Sequence, residues 1–157
     1  MNREPLAVTP AHPSEILLSV VNPTLALALR TPLGRLIDDF MLVAFTGHKT
    51  GKRYATPVSA HRVDGALCVL LDAQWKYNFR DGADAQVSHA GRTTTMRGEL
   101  ISDPAAVAAL AQRIAASYGP KKAQRQMGVS FAGDRLPSAA EWEVAARQLK
   151  LAVIRLA

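Results

Sequence analysis

The 157-residue chain carries one cysteine, Cys68, and aromatic residues make up only 6% of it. A lone cysteine excludes an internal disulfide and a cysteine metal cluster. Its setting, Ala66-Leu67-Cys68-Val69-Leu70-Leu71, reads as a buried structural thiol rather than a nucleophile. The histidines His12, His48, His61 and His89 lack any spacing that argues for a metal, so none is expected. No apolar run approaches the roughly 20 residues that span a bilayer. Met1-Asn2-Arg3-Glu4-Pro5 lacks the uninterrupted apolar stretch of a signal peptide, and a cytoplasmic location is expected. No internal repeat or low-complexity tract is evident. Acid is in deficit: 13 acidic against 19 basic residues give a formal charge of +6, which favours an anionic partner without choosing among nucleic acid, acidic lipid and a phosphorylated coenzyme.

What is present is 48% apolar content, enough for a packed core in one domain of ordinary size. Residues 1–13, with Pro5, Pro10 and Pro13, have no apolar period and read as a flexible or loosely docked tail, leaving 14–157 as a single domain. Ile16, Leu17, Val20 and Val21, then Leu25, Leu27, Leu29, Leu33, Leu36, Ile37 and Phe40, suggest two or three short helices punctuated by Pro23 and Pro32. Arg30 and Arg35 accompany these leucines, so a peripheral membrane contact stands beside core packing as a reading of this stretch.

Strand patterns follow over 41–46, 54–63 and 66–72, the last two joined by the hairpin signal Asp64-Gly65. A helical turn is expected over 75–81, then strands over 85–89 and 93–102, the succession of a small antiparallel barrel. Asp103-Pro104 opens a helix that ends at Gly119-Pro120, and Ser138 with Glu141 forms a capping box for a second. Both helices are expected to pack on the barrel, and residues 149–156 to add a closing strand.

Between the first two strands lies Gly47-His48-Lys49-Thr50-Gly51-Lys52-Arg53-Tyr54-Ala55-Thr56-Pro57-Val58. Glycines permit positive φ and let N–H groups converge on an anion, while Lys49, Lys52, Arg53, Thr50 and Thr56 supply charge and donors. Only three residues separate Gly47 from Gly51, so this is neither a Walker A loop nor a dinucleotide fingerprint. From the residues alone, a solvated hairpin tip and a phosphate site both stand.

Residues 42–58, with their Thr-Gly-His-Lys-Thr-Gly-Lys-Arg-Tyr-Ala-Thr-Pro-Val, resemble the deazaflavin-dependent nitroreductase family, whose pattern is Thr-Gly-Arg-Lys-Ser/Thr-Gly, a basic residue and Thr-Pro-Leu/Val. Gln74-Trp75-Lys76-Tyr77-Asn78-Phe79-Arg80 is similar to its Trp-x-x-Asn-Leu-Arg segment, and the likeness runs over about residues 23–104 with a weaker echo in the final strand. The resemblance implies an α+β, mainly antiparallel split β-barrel of the FMN-binding, pyridoxamine-phosphate-oxidase-like kind with peripheral helices. It further implies an oxidoreductase passing hydride from coenzyme F420, a deazaflavin, or alternatively FMN, to a small acceptor such as a nitro compound, enone or quinone.

By the same resemblance Lys49, Thr50, Gly51, Lys52 and Arg53 meet the coenzyme phosphate, Thr56, Pro57 and Val58 run beside its ring, and Trp75 and Asn78 match the second motif. For Trp75 core packing and coenzyme contact both stand, and for Asn78 a turn-stabilising hydrogen-bond role is preferred to coenzyme contact. Related split barrels also take FAD or haem-type tetrapyrroles, and this chain has His48 where the family commonly has Arg. A proton must accompany the hydride, and Tyr54, Ser59, His61, Tyr77 and Tyr118 are the candidates. A non-catalytic carrier of a flavin, tetrapyrrole or apolar ligand in the same crevice is the alternative. A nucleic-acid module is the weakest reading, since the cations at 49–53 and 121–125 lack an aromatic stacking platform. Split barrels often pair, so a homodimer is open as well.

Overall fold

The computed structural model describes residues 6–10, 23–36 and 38–157. In chain order they form β1 (Val8–Pro10), α1 (Pro23–Arg30), a 3-10 turn (Pro32–Leu36), β2 (Phe40–Thr46), β3 (Arg53–Ser59), β4 (His61–Val63), β5 (Ala66–Leu71), a second 3-10 turn (Gln74–Phe79), β6 (Ala83–His89) and β7 (Arg92–Ile101). Then come α2 (Pro104–Tyr118), α3 (Pro120–Met127), β8 (Val129–Phe131), α4 (Ala139–Leu149) and β9 (Ala152–Leu156). The described residues fall into two compact units, one of 23–36, 38–69, 73–100 and 154–157, the other of 6–10, 70–72 and 101–153.

Most residues of a seven-stranded sheet of order β3-β2-β6-β7-β9-β5-β4 belong to the first unit. β3 and β4 lie at opposite ends of that order, yet only Ala60 separates them in the chain. One segment, 53–63, therefore supplies both ends of the sheet, as a sheet curled toward barrel closure requires. Ladder pairing stops at Ala60, whose N–H donates to the Asp39 carbonyl (2.8 Å). The single strand expected over 54–63 is thus two strands. The fold is α+β and mainly antiparallel, consistent with a split barrel.

Local chemistry explains the turns. Asp64 and Gly65 (φ 52° and 79°) and Ala90 and Gly91 (φ 51° and 81°) each place two successive residues at positive φ, the twist that two-residue hairpins need. Apolar β2 and β5 are buried along most of their length, with Met41, Leu42, Val43, Phe45 and Cys68 no more than 3% exposed. Burial of a side chain the size of Leu or Phe contributes roughly 1.5–3 kcal/mol. Pro57 is compatible with β3 because that strand lies at the sheet end, where a missing N–H costs no ladder bond.

In the second unit α2 packs on α4 and on α3. Asp103 caps α2 by accepting from the Ala106 N–H (3.0 Å), and Ser138 and Glu141 close the capping box of α4. One expectation is corrected here. Residues 8–10 are no loose tail: Val8 is fully buried, and β1 pairs antiparallel with β8. The helix opened at Pro104 does end at Gly119-Pro120, but Gly119 (φ 83°) turns the chain and Pro120 opens a further helix that the sequence reading did not include, α3, at the position where proline's lost N–H is harmless. The helix expected around Ile16 to Val21 lies outside the described residues.

Candidate coenzyme site

Strands β2 and β3 pair in unbroken register from Phe40↔Ser59 to Thr46↔Arg53, so the loop between them, 47–52, is held at both ends. Its two glycines serve different purposes. Gly51 takes φ 68°, whereas Gly47 is needed for space: a Cβ there would lie 2.7 Å from the Tyr54 ring. Their N–H groups do not converge on an outside anion, which corrects the sequence expectation. Gly47 N–H donates to the Lys52 carbonyl (2.8 Å), Gly51 N–H to the Gly47 carbonyl (2.9 Å), and Lys52 N–H to Thr50 Oγ1 (3.3 Å). The N–H groups of Lys49 and Thr50 are left without an acceptor among the described residues, next to the exposed side chains of Lys49 and Lys52.

The two motifs meet. His48 donates its backbone N–H to Asn78 Oδ1 (2.9 Å), its ring Nδ1 lies 2.7 Å from the same oxygen, and Asn78 Nδ2 donates to the Trp75 carbonyl (2.8 Å). Asn78 is therefore a clamp that joins the β2–β3 turn to the second 3-10 turn. Beneath that clamp Phe45 stacks on Tyr54 (5.7 Å between centroids) and on Trp75 (5.4 Å), and meets Phe79 edge-on (5.4 Å). Trp75 is half-buried in this cluster, while Phe79 is fully buried. Tyr77, one of the proton-donor candidates, is half-buried, with Lys76 Nζ 5.3 Å and the Arg80 guanidinium 5.0 Å from its ring centre.

Alternation along β3 sorts the other candidates. Tyr54, Thr56 and Val58 share the face of Phe45, and Thr56 is buried there; Arg53, Ala55 and Pro57 lie on the opposite face. Arg53 donates to Thr46 Oγ1 (3.3 Å) and Gln86 Oε1 (3.0 Å), across β2, so its guanidinium is engaged on the sheet face rather than in the turn. The structure thus groups Lys49, Thr50, Gly51, Lys52, Trp75 and Asn78, and sets Arg53 and Pro57 apart from Thr56 and Val58.

Of the proton-donor candidates, Tyr54 is 44% exposed with its hydroxyl 3.4 Å from Thr50 Oγ1, at the turn itself. Ser59 is half-buried at the far end of β3. His61 is 2% exposed, opposite Cys68 on β5, and burial pushes its imidazole down to about 4. A neutral, enclosed imidazole is poorly placed to deliver protons at neutral pH. Tyr118 belongs to the other unit, where Lys122 Nζ sits 5.6 Å from its ring centre. Among the described residues no group of three or more His, Cys, Asp or Glu could hold a metal ion, and no helix is long and apolar enough to cross a membrane.

Phe45, Phe79 and Gln86 were not singled out from sequence. The signal for Phe45 was available: it sits two residues before Gly47 in a strand whose partner begins just after Gly51, which brings it opposite Tyr54. Gln86 carried no such signal, since its contact with Arg53 depends on β6 pairing with β2.

No family model matches the chain. No curated protein matches it either. Among solved structures it is similar to the conserved hypothetical protein Rv2991 from Mycobacterium tuberculosis, with a TM-score of 0.45 at 11% sequence identity, over 80% of this chain and 77% of that one. A likeness at that level carries no argument about activity.

Proposed function

We propose that the protein is an oxidoreductase that binds a deazaflavin coenzyme of the F420 type, or alternatively FMN, and reduces a small organic acceptor such as a nitro compound, enone or quinone. The single observation that carries this reading is the Asn78 clamp, which joins two segments, distant in the chain, that both resemble one family of deazaflavin enzymes.

The residues present fit the coenzyme's phosphate. Among the described residues the Lys49 and Thr50 N–H groups have no acceptor, Lys49 and Lys52 are exposed, and residues 46–54 contain no carboxylate to compete for them. Such donors and cations suit a phosphate oxygen well. For the tricyclic ring, the chain offers the end strand β3, whose outward backbone groups can serve a polar ring edge, next to the aromatic cluster around Phe45. When bound, the coenzyme itself supplies hydride chemistry, so this chain's task is to bind, orient and shield it. Tyr54, partly exposed beside Thr50, is the proton donor the geometry favours over His61.

The test compares deazaflavin dissociation constants of wild type, a Lys49→Ala/Lys52→Ala variant and an Arg53→Ala variant across salt. The turn variant is expected to weaken binding by about tenfold or more and to flatten the salt dependence, from the loss of charge-assisted contacts. Arg53→Ala is expected to act less, since its guanidinium is already engaged by Gln86 and Thr46. Unchanged affinity in the turn variant sinks this assignment. Turnover of nitro, enone and quinone acceptors with reduced deazaflavin then separates an enzyme from a carrier.

A further inference from the structure

We propose that His48 is a proton-dependent anion contact: protonation at Nε2 turns it into a third cation of the 47–52 turn, so that anion affinity there rises as pH falls. The inference rests on the reading above only in taking the anion to be the coenzyme's phosphate.

The argument begins with Asn78, whose amide orientation is fixed by its partners. Nδ2 donates to the Trp75 carbonyl and Oδ1 accepts the His48 backbone N–H, so the atom facing the His48 ring at 2.7 Å is an acceptor. His48 Nδ1 must therefore carry a hydrogen. A neutral imidazole has only one, which leaves Nε2 as a bare lone pair. The side chain is exposed, and Nε2 has no partner among the described residues. The open ring position is thus Nε2, while Nδ1 stays on Asn78.

The charges around that atom decide what protonation does. Lys49 and Lys52 belong to its own turn, Arg53 and Tyr54 to β3, and Lys76, Tyr77 and Arg80 to the segment that bears Asn78. Neither 46–54 nor 74–80 contains a carboxylate; Asp72 and Asp81 only flank the second segment, and Asp84 is paired with Arg97 (3.3 Å). No acidic side chain of these segments stands ready to hold an imidazolium, and the neighbouring cations oppose one. An anion at the Lys49 and Thr50 N–H groups reverses that balance by accepting from Nε2–H. A neutral ring, with a bare lone pair at Nε2, offers such an anion no donor there. Linkage then requires reciprocity: the bound anion raises the His48 pKa, and protonation tightens the anion by the same factor.

Two probes test this on the whole chain. Sulfate stays a dianion from pH 5 to 8.5, so any pH dependence of its binding belongs to the protein. Long-range proton–nitrogen NMR of the His48 ring, assigned with His48→Gln, is expected to show hydrogen on Nδ1 in the neutral form and a pKa that rises on adding sulfate. Sulfate affinity is expected to be about tenfold higher at pH 5.5 than at pH 8, one charge-assisted hydrogen bond. His48→Arg should bind tightly and His48→Gln weakly, both without pH dependence, with unchanged circular dichroism as the control on folding. A neutral ring protonated on Nε2, or the same sulfate profile in wild type and His48→Gln, overturns the proposal. A deazaflavin arm separates the two readings: if sulfate follows the expected profile while deazaflavin does not bind at any pH, the anion contact stands and the coenzyme assignment falls.

Discussion

Replacing Asn78 with Ala removes three hydrogen bonds at once: those from the His48 N–H and ring Nδ1 and the one to the Trp75 carbonyl, at 2.9, 2.7 and 2.8 Å. Each net bond is worth roughly 0.5–1.5 kcal/mol. His48 is exposed, so water recovers part of what its donors lose, and the expected total is about 2 kcal/mol. With a urea slope of about 2 kcal/mol/M, the midpoint falls by about 1 M at unchanged slope. The ring bond can be isolated, because His48→Ala removes Nδ1 but keeps the backbone N–H. A double-mutant cycle of His48→Ala with Asn78→Ala is then expected to return a coupling of about 1 kcal/mol. The midpoint is read by tryptophan fluorescence and circular dichroism together, since coincident curves are what license a single free energy. A midpoint shift under about 0.2 M, or a coupling under about 0.3 kcal/mol, refutes the clamp as the tie between the two segments.

Gly98→Ala places a Cβ 2.4 Å from Phe79 Cδ1 and 3.2 Å from Leu156 Cδ2, and Phe79 is fully buried with no room to yield. It should cost about 1–3 kcal/mol by overpacking, measured by urea unfolding, with partial recovery when Phe79→Leu is added. His61 is held down at about 4 from the usual 6.5, so between those values the unfolded chain binds a proton that the folded one refuses. Stability is therefore full above pH 6.5 and falls by about 3 kcal/mol as pH drops toward 4, and the difference between wild type and His61→Gln in pH-dependent unfolding reads it. Ser138→Ala should cost about 1 kcal/mol as a lost N-cap. The Glu141 carboxyl beside it, held at about 2 chiefly by its hydrogen bond from Arg135, stabilises fully above its ordinary 4.5 and ceases to as pH falls through about 2, which a carboxyl NMR titration follows.

The elements that sequence foretold are those with their signal in one short window. Asp103-Pro104, the Ser138/Glu141 box and Asp64-Gly65 each encode a cap or turn within four residues, and each is in place. Residues 120–127 failed that test because Pro-Lys-Lys-Ala-Gln-Arg-Gln-Met offers only Ala123 and Met127 to the core, too thin an apolar stripe to notice beside its cations. β1 and β8 are three residues each and exist by pairing with one another, across more than a hundred positions of chain. At the site the residue types were legible but their directions were not. Gly47 and Gly51 looked alike, yet one gives φ and the other space, and Arg53 belongs by alternation to the face away from Tyr54.

The strand order has a temporal side. β2-β3, β4-β5 and β6-β7 are local hairpins that a chain emerging from the ribosome can form early. β9, the last strand to emerge, lies between β7 and β5, where it joins the four strands β3-β2-β6-β7 to the pair β5-β4. Until residues 152–156 appear, those two groups have only the covalent chain to connect them, and β7 and β5 each present a bare edge. A nascent chain stalled before β9 is thus the species most exposed to edge-to-edge aggregation, and supplying residues 151–157 as a peptide in trans should rescue its solubility.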